Sequence, residues 1–600
     1  MRSRMLLALI AGLFTALALG LAACGDDDDG GGGVEASQFA PLTAPPDDAK
    51  KGGTLTVIAA ADVDYMDPGA AYYQFTYMIM DATQRKLLSW KPTDVAKPSP
   101  DIAVSEPAIS DDGLTVTFKL KDGIRFSPPV NREVTSADIK YAIERTLMPG
   151  VASGYVPSYF GAVEGFPAAE AAAGRNKTVA PDISGIQTPD DKTLVIKMTR
   201  PESAVLIQSL GLPMDVPVPE EYAKQFDTET PSTYGEHVVS TGPYMVENNS
   251  SGELTGYTPG KEIILVRNPN WDPSTDYRPA FLDRIEVKEG FEDTQSASQK
   301  ILKGDSQITG DIIPEGKALK DAATKYPDQL ALVVSGGNRY IALNTANPPF
   351  DDINVRKAVL AGFDREALRL ARGGELAGPI ATHFIMPGIP GFEEAGGEKG
   401  AGFDFLANPN GDPELAAEYF RKAGMQSGKY EGNESIFIAG ENSGIDKKVS
   451  EVAADEFRKL GFDVELRQTS SDVMYTRFCG VPKSGYNVCP TVGWIKDFND
   501  GQAILDVPFN GASIVPTNNY NWPLLDDPAI NKAMDQGKLI DDQQQRNEAW
   551  GKIDTQVTAQ APAVPFLWDN QANLESADVN GVINLFNAVW DLNSTSLKNP

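Results

Sequence analysis

Residues 1–33 have a composition that does not build a folded core, so we expect the folded part of this chain to begin after them. Arg2 and Arg4 precede an apolar run over residues 5–21, and small residues connect this run to Cys24. A positive start, an apolar middle and a small-residue cleavage point are typical of an export signal. Residues 25–33 are four aspartates and five glycines. Such a run has nothing to bury, so we expect it to stay unfolded.

Residues 21–24, Leu-Ala-Ala-Cys, resemble a bacterial lipobox, in which the cysteine is acylated after cleavage. We predict a signal peptide over residues 1–23, lipidation at Cys24 and a hydrated tether over residues 24–50. Residues 5–23 approach the roughly 20 apolar residues of a membrane-spanning helix, so an uncleaved anchor is one alternative and a soluble secreted form another. The tether favours the lipid-anchored form. Both membrane forms leave the bulk of the chain outside the cytoplasm.

Composition excludes one class of partner. Lys and Arg number 53 against 83 Asp and Glu, which gives a net charge of −30. Such a surface repels phosphate backbones, so we expect no nucleic-acid binding. The chain after residue 50 is too long for one core, and its length predicts about two to four domains.

Two cysteines remain besides Cys24. Cys479 and Cys489 flank a short segment that contains glycine and proline. In an exported protein such a pair is most simply a disulfide. A metal site is the alternative, but it needs more ligands, and both histidines, His237 and His383, are far away in sequence. We expect neither a metal nor another cofactor.

Local patterns predict a mixed first region. Residues 114–120 alternate between apolar and polar side chains and lie between two Asp-Gly turns, which predicts a half-buried strand. Thr135 and Asp138 form the start signal of a helix. Ile139 and Ile143 lie on the buried stripe of this helix.

The later part of the chain is predicted to be α/β. Residues 436–438 form a short buried strand, and a helix follows with its apolar stripe between Val449 and Leu460. Residues 462–466 then alternate as a second strand. A strand, a helix and a strand in this order imply parallel pairing through a crossover helix.

A series of short motifs runs through residues 51–570. The motifs comprise residues 52–55, 66–68, 108–126, 135–145, 240–244, 267–269, 340–344, 348–356, 493–498 and 561–565. In this order they resemble the family 5 extracellular solute-binding proteins of ABC importers, the dipeptide- and oligopeptide-binding group.

The resemblance implies an α/β, two-lobed clam-shell fold of the type II periplasmic-binding-protein kind, with an enlarged first lobe. The first lobe is predicted over residues 51–337 and the second over residues 338–564. Residues 565–600 return to the first lobe. The chain is expected to cross near residues 338–344 and again near residues 563–568, where a hinge lets the lobes close on a ligand.

The same resemblance implies a function and partners. We expect a binding protein, not an enzyme, that captures peptides or a similar small solute and delivers it to an ABC permease with its ATPase. The lipid anchor holds it at the membrane and raises its effective concentration near the permease. We expect a monomer.

Asp497 and Trp494 are the first candidates for ligand contact. In the peptide-binding members that this chain resembles, an aspartate in the matching segment pairs with the ligand's α-ammonium group, and a buried cation needs such a carboxylate. The alternative for Asp497 is a solvated loop residue. Trp494 follows a glycine and is expected to line the pocket, with core packing as its alternative.

Four further residues are candidates for ligand contact only because of their positions in the motif series. Tyr72 and Tyr73 follow a turn where the family's first loop faces the cleft. Tyr340 and Asn344 lie at the predicted hinge, where they either face the cleft or complete a strand.

Some features leave the cargo and the role open. The sequence singles out no arginine or lysine for a peptide carboxylate, so longer peptides and other solutes remain possible ligands. An exported hydrolase is the enzyme alternative, although the chain contains no Gly-x-Ser-x-Gly, His-Glu-x-x-His or P-loop motif. A surface receptor that has the same fold without transport is a third possibility.

Overall fold

The computed structural model describes residues 36–600 except 152, 174–177 and 541. The predicted signal peptide, the lipidation site Cys24 and the first part of the predicted tether lie outside the described residues. Within the described part of the chain, none of the helices combines the length and the hydropathy that a membrane span requires.

The C-terminal part of the predicted tether is packed against the fold. Phe39 is 4% exposed and belongs to the same apolar cluster as Ile58 and Leu574. The Leu42 carbonyl accepts a hydrogen bond from the Ile583 amide at 2.8 Å. The prediction of a hydrated tether up to residue 50 is therefore corrected for this stretch, because an apolar side chain in it finds a buried contact.

A mixed sheet contains the first parallel strands of the chain. Its order is Ile308–Thr309, Thr54–Ile58, Arg284–Lys288, Glu262–Arg267 and Tyr244–Val246, and Tyr257–Thr258 also pairs with Glu262–Arg267. Thr54–Ile58 runs parallel to both of its neighbours. The carboxyl ends of these parallel strands therefore meet at one edge of the sheet.

An antiparallel sheet contains the predicted strand of residues 114–120, which is confirmed over Thr115–Lys119. The order of this sheet is Ala108–Ile109, Thr115–Lys119, Thr193–Lys197 and Ile186–Asp190. The apolar positions Val116 and Phe118 are fully buried, as alternation requires.

The predicted helix after Thr135 is also confirmed, over Ser136–Arg145. The Thr135 amide donates to Asp138 Oδ2 at 2.8 Å, which satisfies a backbone group at the helix start. Ile139 and Ile143 are fully buried on the predicted stripe.

A second mixed sheet has the order Val464–Thr469, Ile436–Glu441, Val488–Trp494, Leu330–Leu343 and Ala563–Leu574. The predicted strand–helix–strand unit is confirmed: Ile436–Glu441 and Val464–Thr469 are parallel, and the helix Gly444–Lys459 connects them. The last two strands of the sheet are antiparallel to each other.

The two long strands Leu330–Leu343 and Ala563–Leu574 contribute to two different cores. Leu332 packs with Ile58 near the first sheet, whereas Ile341 packs with Phe350 behind the second. The register of the pair shifts between Val333 and Gly337. The change of core therefore occurs within one strand pair, beside an irregularity in its hydrogen bonding.

The α-helices of the described residues are Gln74–Thr83, Ser136–Arg145, Val156–Phe160, Phe166–Ala173, Ser203–Ser209, Glu220–Ala223, Thr294–Lys303, Gly316–Lys325, Ile353–Gly362, Arg365–Arg372, Pro413–Lys422, Gly444–Lys459, Ser471–Val473, Gln502–Phe509, Pro528–Gly537 and Gln543–Ala559. Short antiparallel strand pairs are Leu88–Ser89 with Ser99–Pro100, Ile583–Asn584 with Val589–Trp590, and Val579–Asn580 with Ser596–Leu597. Helices thus accompany both mixed sheets, as in an α/β fold.

Candidate ligand-binding site

A cavity of about 270 Å³ lies where the carboxyl ends of parallel strands from both mixed sheets come together. Asp62 and Asp311 reach it after Thr54–Ile58 and Ile308–Thr309 in the first sheet. Glu441, the last residue of its strand, lines it from the second sheet. Open α/β sheets bind ligands at the carboxyl ends of their strands, so the topology favours this cavity as the site.

Asp497 lines the cavity just after the strand Val488–Trp494, and it is 4% exposed. The Tyr72 hydroxyl donates to Asp497 Oδ1 at 2.8 Å and to Oδ2 at 2.7 Å. The Tyr159 hydroxyl also donates to Oδ2. Among the described residues, no Lys, Arg or His forms an ion pair with this carboxyl, and burial raises its pKa to about 7. The site therefore contains a desolvated carboxyl group without a cation.

Aromatic rings surround this carboxyl group. Tyr72 stacks on Tyr155 with ring centroids 4.3 Å apart and meets Trp494 edge-on at 5.6 Å. Trp494 is 6% exposed, lines the cavity and donates from Nε1 to the Ala503 carbonyl at 2.7 Å. Trp494 thus combines core packing with a place in the cavity wall.

Asp64 positions the loop that carries both predicted tyrosines. Its Oδ2 accepts hydrogen bonds from the amides of Tyr72 at 2.7 Å and Tyr73 at 3.1 Å, and the Thr76 hydroxyl donates to Oδ1 at 2.5 Å. Tyr73 lines the cavity, and its hydroxyl has no hydrogen-bond partner within the described residues. Sequence analysis did not identify Asp64, because its contacts with the two tyrosines span eight and nine positions, beyond the reach of local capping patterns.

Tyr340 and Asn344 do not line the cavity, so their assignment as ligand contacts is corrected. Tyr340 is fully buried, and its ring packs on Phe384 and Phe509. Asn344 Nδ2 donates to the Tyr486 carbonyl at 2.8 Å. The cavity meets the strand Leu330–Leu343 earlier, at residues 337–339. Residues further along this strand enter the core of the second sheet.

Two basic residues that sequence analysis missed line the cavity, Arg339 and Lys496. Within the described residues, the Arg339 guanidinium donates one hydrogen bond, from Nε to Asp569 Oδ2 at 2.8 Å. Its Nη groups are left for another acceptor. Burial lowers the pKa of Lys496 to about 8, and its ammonium lies 5.5 Å from the Phe586 ring centroid. In the sequence, Arg339 precedes the candidate Tyr340 and Lys496 precedes the candidate Asp497. This adjacency was the only sequence signal for the two basic residues.

Gly493 allows Arg339 to lie close to the neighbouring strand. A Cβ atom on Gly493 would lie 2.3 Å from the Asn338 carbonyl oxygen and 2.7 Å from Arg339 Cδ. Asn338 itself joins the strands, because its Oδ1 accepts from the Trp494 amide at 2.9 Å. The glycine before Trp494 is therefore required by a close approach of two strands.

Cys479 and Cys489 are joined by a disulfide with a Cα–Cα distance of 6.1 Å. Cys489 belongs to the strand that ends at Trp494, and Cys479 ends the turn Met474–Cys479. Tyr475 of that turn lines the cavity. The bond thus ties a cavity-lining turn to the strand that precedes Asp497.

The histidines have structural partners. His383 Nδ1 lies 2.8 Å from Asp554 Oδ2, and His237 stacks on Phe226 with ring centroids 3.9 Å apart. Across the residues that the structure describes, no group of three or more His, Cys, Asp or Glu side chains is arranged to hold a metal ion.

Comparison with known proteins agrees with this architecture. The family model of the bacterial extracellular solute-binding proteins, family 5 Middle, matches residues 97–514. The oligopeptide-binding protein OppA of Bacillus subtilis is 22% identical over 483 residues, 79% of this chain and 80% of the relative. Heme-binding protein A of Haemophilus influenzae is 24% identical over 471 residues, 76% of each chain.

A solved structure, clavulanic acid biosynthesis oligopeptide binding protein 2, has 25% identity and a TM-score of 0.75. The match covers 94% of this chain and 98% of that chain. The predicted fold class, a two-lobed α/β fold, is confirmed by this likeness.

Proposed function

Because this chain belongs to the bacterial extracellular solute-binding proteins of family 5, we propose that it is the membrane-tethered capture subunit of an ABC importer and that its cargo is a short peptide. The family and its relatives bind solutes, so the chain is a binding protein and not an enzyme. The observation that carries the peptide assignment is the buried, cation-free Asp497 carboxyl group in the cavity.

The α-ammonium group of a peptide fits Asp497. Tyr72 and Tyr159 already donate to this carboxyl group, and Oδ1 accepts from Tyr72 alone. A carboxylate has about four acceptor positions, so Oδ1 can accept a further hydrogen bond from an ammonium group. A hydrogen bond to a charged group contributes about 1.5–3 kcal/mol. A bound cation would also offset the desolvation that raises the pKa of this carboxyl group.

The other end of a peptide fits Arg339. Its free Nη groups line the same cavity and provide donors for a carboxylate, with Lys496 as a second cation nearby. The cavity volume of about 270 Å³ lies just below the usual range for ligand pockets, roughly 300–1,000 Å³. The size favours a short peptide over a long one.

Capture would proceed by closure of two lobes, residues 51–337 with 565–600 and residues 338–564. The strand pair Leu330–Leu343 and Ala563–Leu574 is the proposed hinge, because it changes core beside a register shift. The contact of Tyr72 with Asp497 would join the lobes in the closed form. Acylated Cys24 would hold the protein at the outer face of the cell membrane, near its permease and ATPase.

Mass spectrometry of the ligand released from purified, denatured protein tests the cargo. We expect a mixture of short peptides with free amino termini. A single sugar or a metal chelate would contradict the peptide assignment. The anchor has a separate test: Cys24→Ala, produced in a lipoprotein-processing bacterium, should lose radiolabelled palmitate and leave the membrane fraction, whereas an unlabelled wild-type protein would refute lipidation.

A further inference from the structure

Five aromatic side chains that contact one another line the cavity. The ring planes of Trp494, Tyr520 and Trp522 meet at 67°, 63° and 79°, with centroids 5.7–6.2 Å apart. Tyr475 packs on Trp522 with centroids 5.4 Å apart, and Tyr73 packs on Tyr475 at 5.6 Å. All five rings belong to the cavity lining. We call these five residues the aromatic wall.

Buried hydrogen bonds hold the loop that carries Tyr520 and Trp522. Asn521 lies between them, is fully buried and donates from Nδ2 to the Leu525 carbonyl at 2.9 Å. The Tyr486 hydroxyl donates to the Trp522 carbonyl at 2.6 Å. The fold therefore sets the backbone that carries both rings, and a preformed wall lowers the entropy cost of binding a ligand.

Two members of the aromatic wall have a buried polar atom without a hydrogen-bond partner in the described part of the chain. Trp522 is 3% exposed, and its Nε1–H is unpaired. The Tyr73 hydroxyl is also buried and unpaired. Trp494 differs, because its Nε1–H is paired with the Ala503 carbonyl. An unpaired buried donor is costly, and an acceptor on a ligand would remove that cost.

A smaller cavity adjoins the first at the aromatic wall. Its volume is about 10 Å³, and Tyr73 and Trp522 line it as well as the larger cavity. Such a volume has room for about one water-sized group. The two side chains with unpaired atoms thus lie between a space that admits a ligand and a recess that admits a single polar group, such as a hydroxyl.

The chemistry of the aromatic wall selects the side chain that fits it. Flat rings pack well against other rings. The Trp522 Nε1–H only donates, so the ligand must supply an acceptor, which phenylalanine, leucine and the charged form of lysine lack. A phenol hydroxyl accepts a hydrogen bond from an N–H group, and it pairs in either direction with the Tyr73 hydroxyl. Tyrosine combines such a hydroxyl with an aromatic ring.

The aromatic wall lies next to Asp497. Tyr72, which donates to Asp497, packs on Tyr520 with ring centroids 4.8 Å apart and on Trp494 at 5.6 Å. We propose that the aromatic wall is a specificity subsite for a tyrosine side chain at the first position of a peptide ligand. The inference rests on the proposed function, since it takes the amino terminus of the peptide to be at Asp497.

Calorimetry with the dipeptides Tyr-Ala, Phe-Ala and Ala-Ala tests the subsite. For the wild type we expect Phe-Ala to bind at least about tenfold more tightly than Ala-Ala, because a ring is buried. Tyr-Ala should bind about tenfold more tightly than Phe-Ala, which leaves the Trp522 Nε1–H unpaired. Trp522→Phe and Tyr73→Phe each keep a ring and remove one polar atom, so each should reduce the preference for Tyr-Ala over Phe-Ala.

Trp550→Phe is the control variant. Trp550 is fully buried, its Nε1–H is also unpaired within the described residues, and it is not part of the cavity lining. This variant should keep the wild-type preference. Equal affinities of the wild type for Tyr-Ala and Phe-Ala would overturn the subsite alone. A preference that both wall variants retain would also overturn it, because water would then be the partner of the two unpaired atoms. Failure of all three dipeptides to bind would overturn the proposed function as well.

Discussion

The Tyr72 hydroxyl donates to both carboxylate oxygens of Asp497, at 2.8 Å and 2.7 Å, across 425 positions of sequence. This contact joins the loop after the first strand to the segment after Val488–Trp494. It holds the carboxyl group in a fixed orientation but brings no positive charge to it. The charge is left for a ligand.

Asp497→Asn should weaken the binding of peptides with a free amino terminus by about 10- to 100-fold, the value of a hydrogen bond to a charged group. The amide keeps the shape of the side chain and loses the negative charge. Calorimetry with a dipeptide and its N-acetylated form measures this. The wild type should discriminate strongly between the two forms, and a variant that discriminates equally well would disprove the role of Asp497.

The pH dependence of stability should also differ between wild type and Asp497→Asn. The pKa of Asp497 is raised from 3.8 to about 7, so the folded ligand-free protein binds this proton more tightly than the unfolded chain does. The free energy of unfolding then decreases as the pH rises from about 4 to about 7, by about 1–4 kcal/mol from this one group. In urea unfolding, the free energy of unfolding of the wild type should fall by this amount relative to that of the variant across this range. Parallel profiles would contradict the raised pKa.

Arg339→Met should reduce the preference for a free peptide carboxylate. In the wild type we expect a dipeptide to bind about tenfold more tightly than its C-terminal amide, because the Arg339 Nη groups can donate to a carboxylate. The ratio of the two dissociation constants should approach one in the variant. If it stays at the wild-type value, another group binds the carboxylate, and Lys496 is the next to substitute.

Arg145→Met should be strongly destabilising. Arg145 is 1% exposed and bonds Asp67 at 2.7 and 2.6 Å and Asp227 at 2.7 and 2.6 Å. Its removal leaves two buried carboxylates without a cation, which costs about 3–5 kcal/mol. Arg458→Met is the control, because Arg458 and Asp455 form an exposed pair worth about 0–1 kcal/mol. Similar unfolding midpoints for the two variants would refute this difference.

Removal of the disulfide by Cys479→Ala with Cys489→Ala should lower the free energy of unfolding by about 2–3 kcal/mol, the chain-entropy value for a loop of this length. The two sites are 10 positions apart and fully buried, so alanine leaves no polar group in the core. Thermal unfolding with and without reductant measures the effect. Wild type in reductant should approach the variant, whereas the variant should not respond to reductant.

Local patterns were sufficient for several elements of the regular structure. The alternation at Thr115–Lys119 and the start signal at Thr135 predicted a strand and a helix that the structure contains. The order of strand, helix and strand near Gly444–Lys459 predicted parallel pairing. These features depend on side chains that are close together in the sequence, so local sequence patterns are sufficient to predict them. The motif series likewise indicated the two-lobed fold.

The set of side chains that line the cavity depends on the tertiary structure. Asp497 was a candidate from its motif, but its donor Tyr159 lies 338 positions away and no local pattern connects them. Along one strand, Arg339 reaches the cavity whereas the predicted Tyr340 enters the core. Sequence by itself therefore determined the family, the two-lobed α/β fold class and the elements that have a clear local pattern. Only the fold decided which carboxyl groups are desolvated and left without a cation, because desolvation and charge pairing depend on distance in space and not on spacing along the chain.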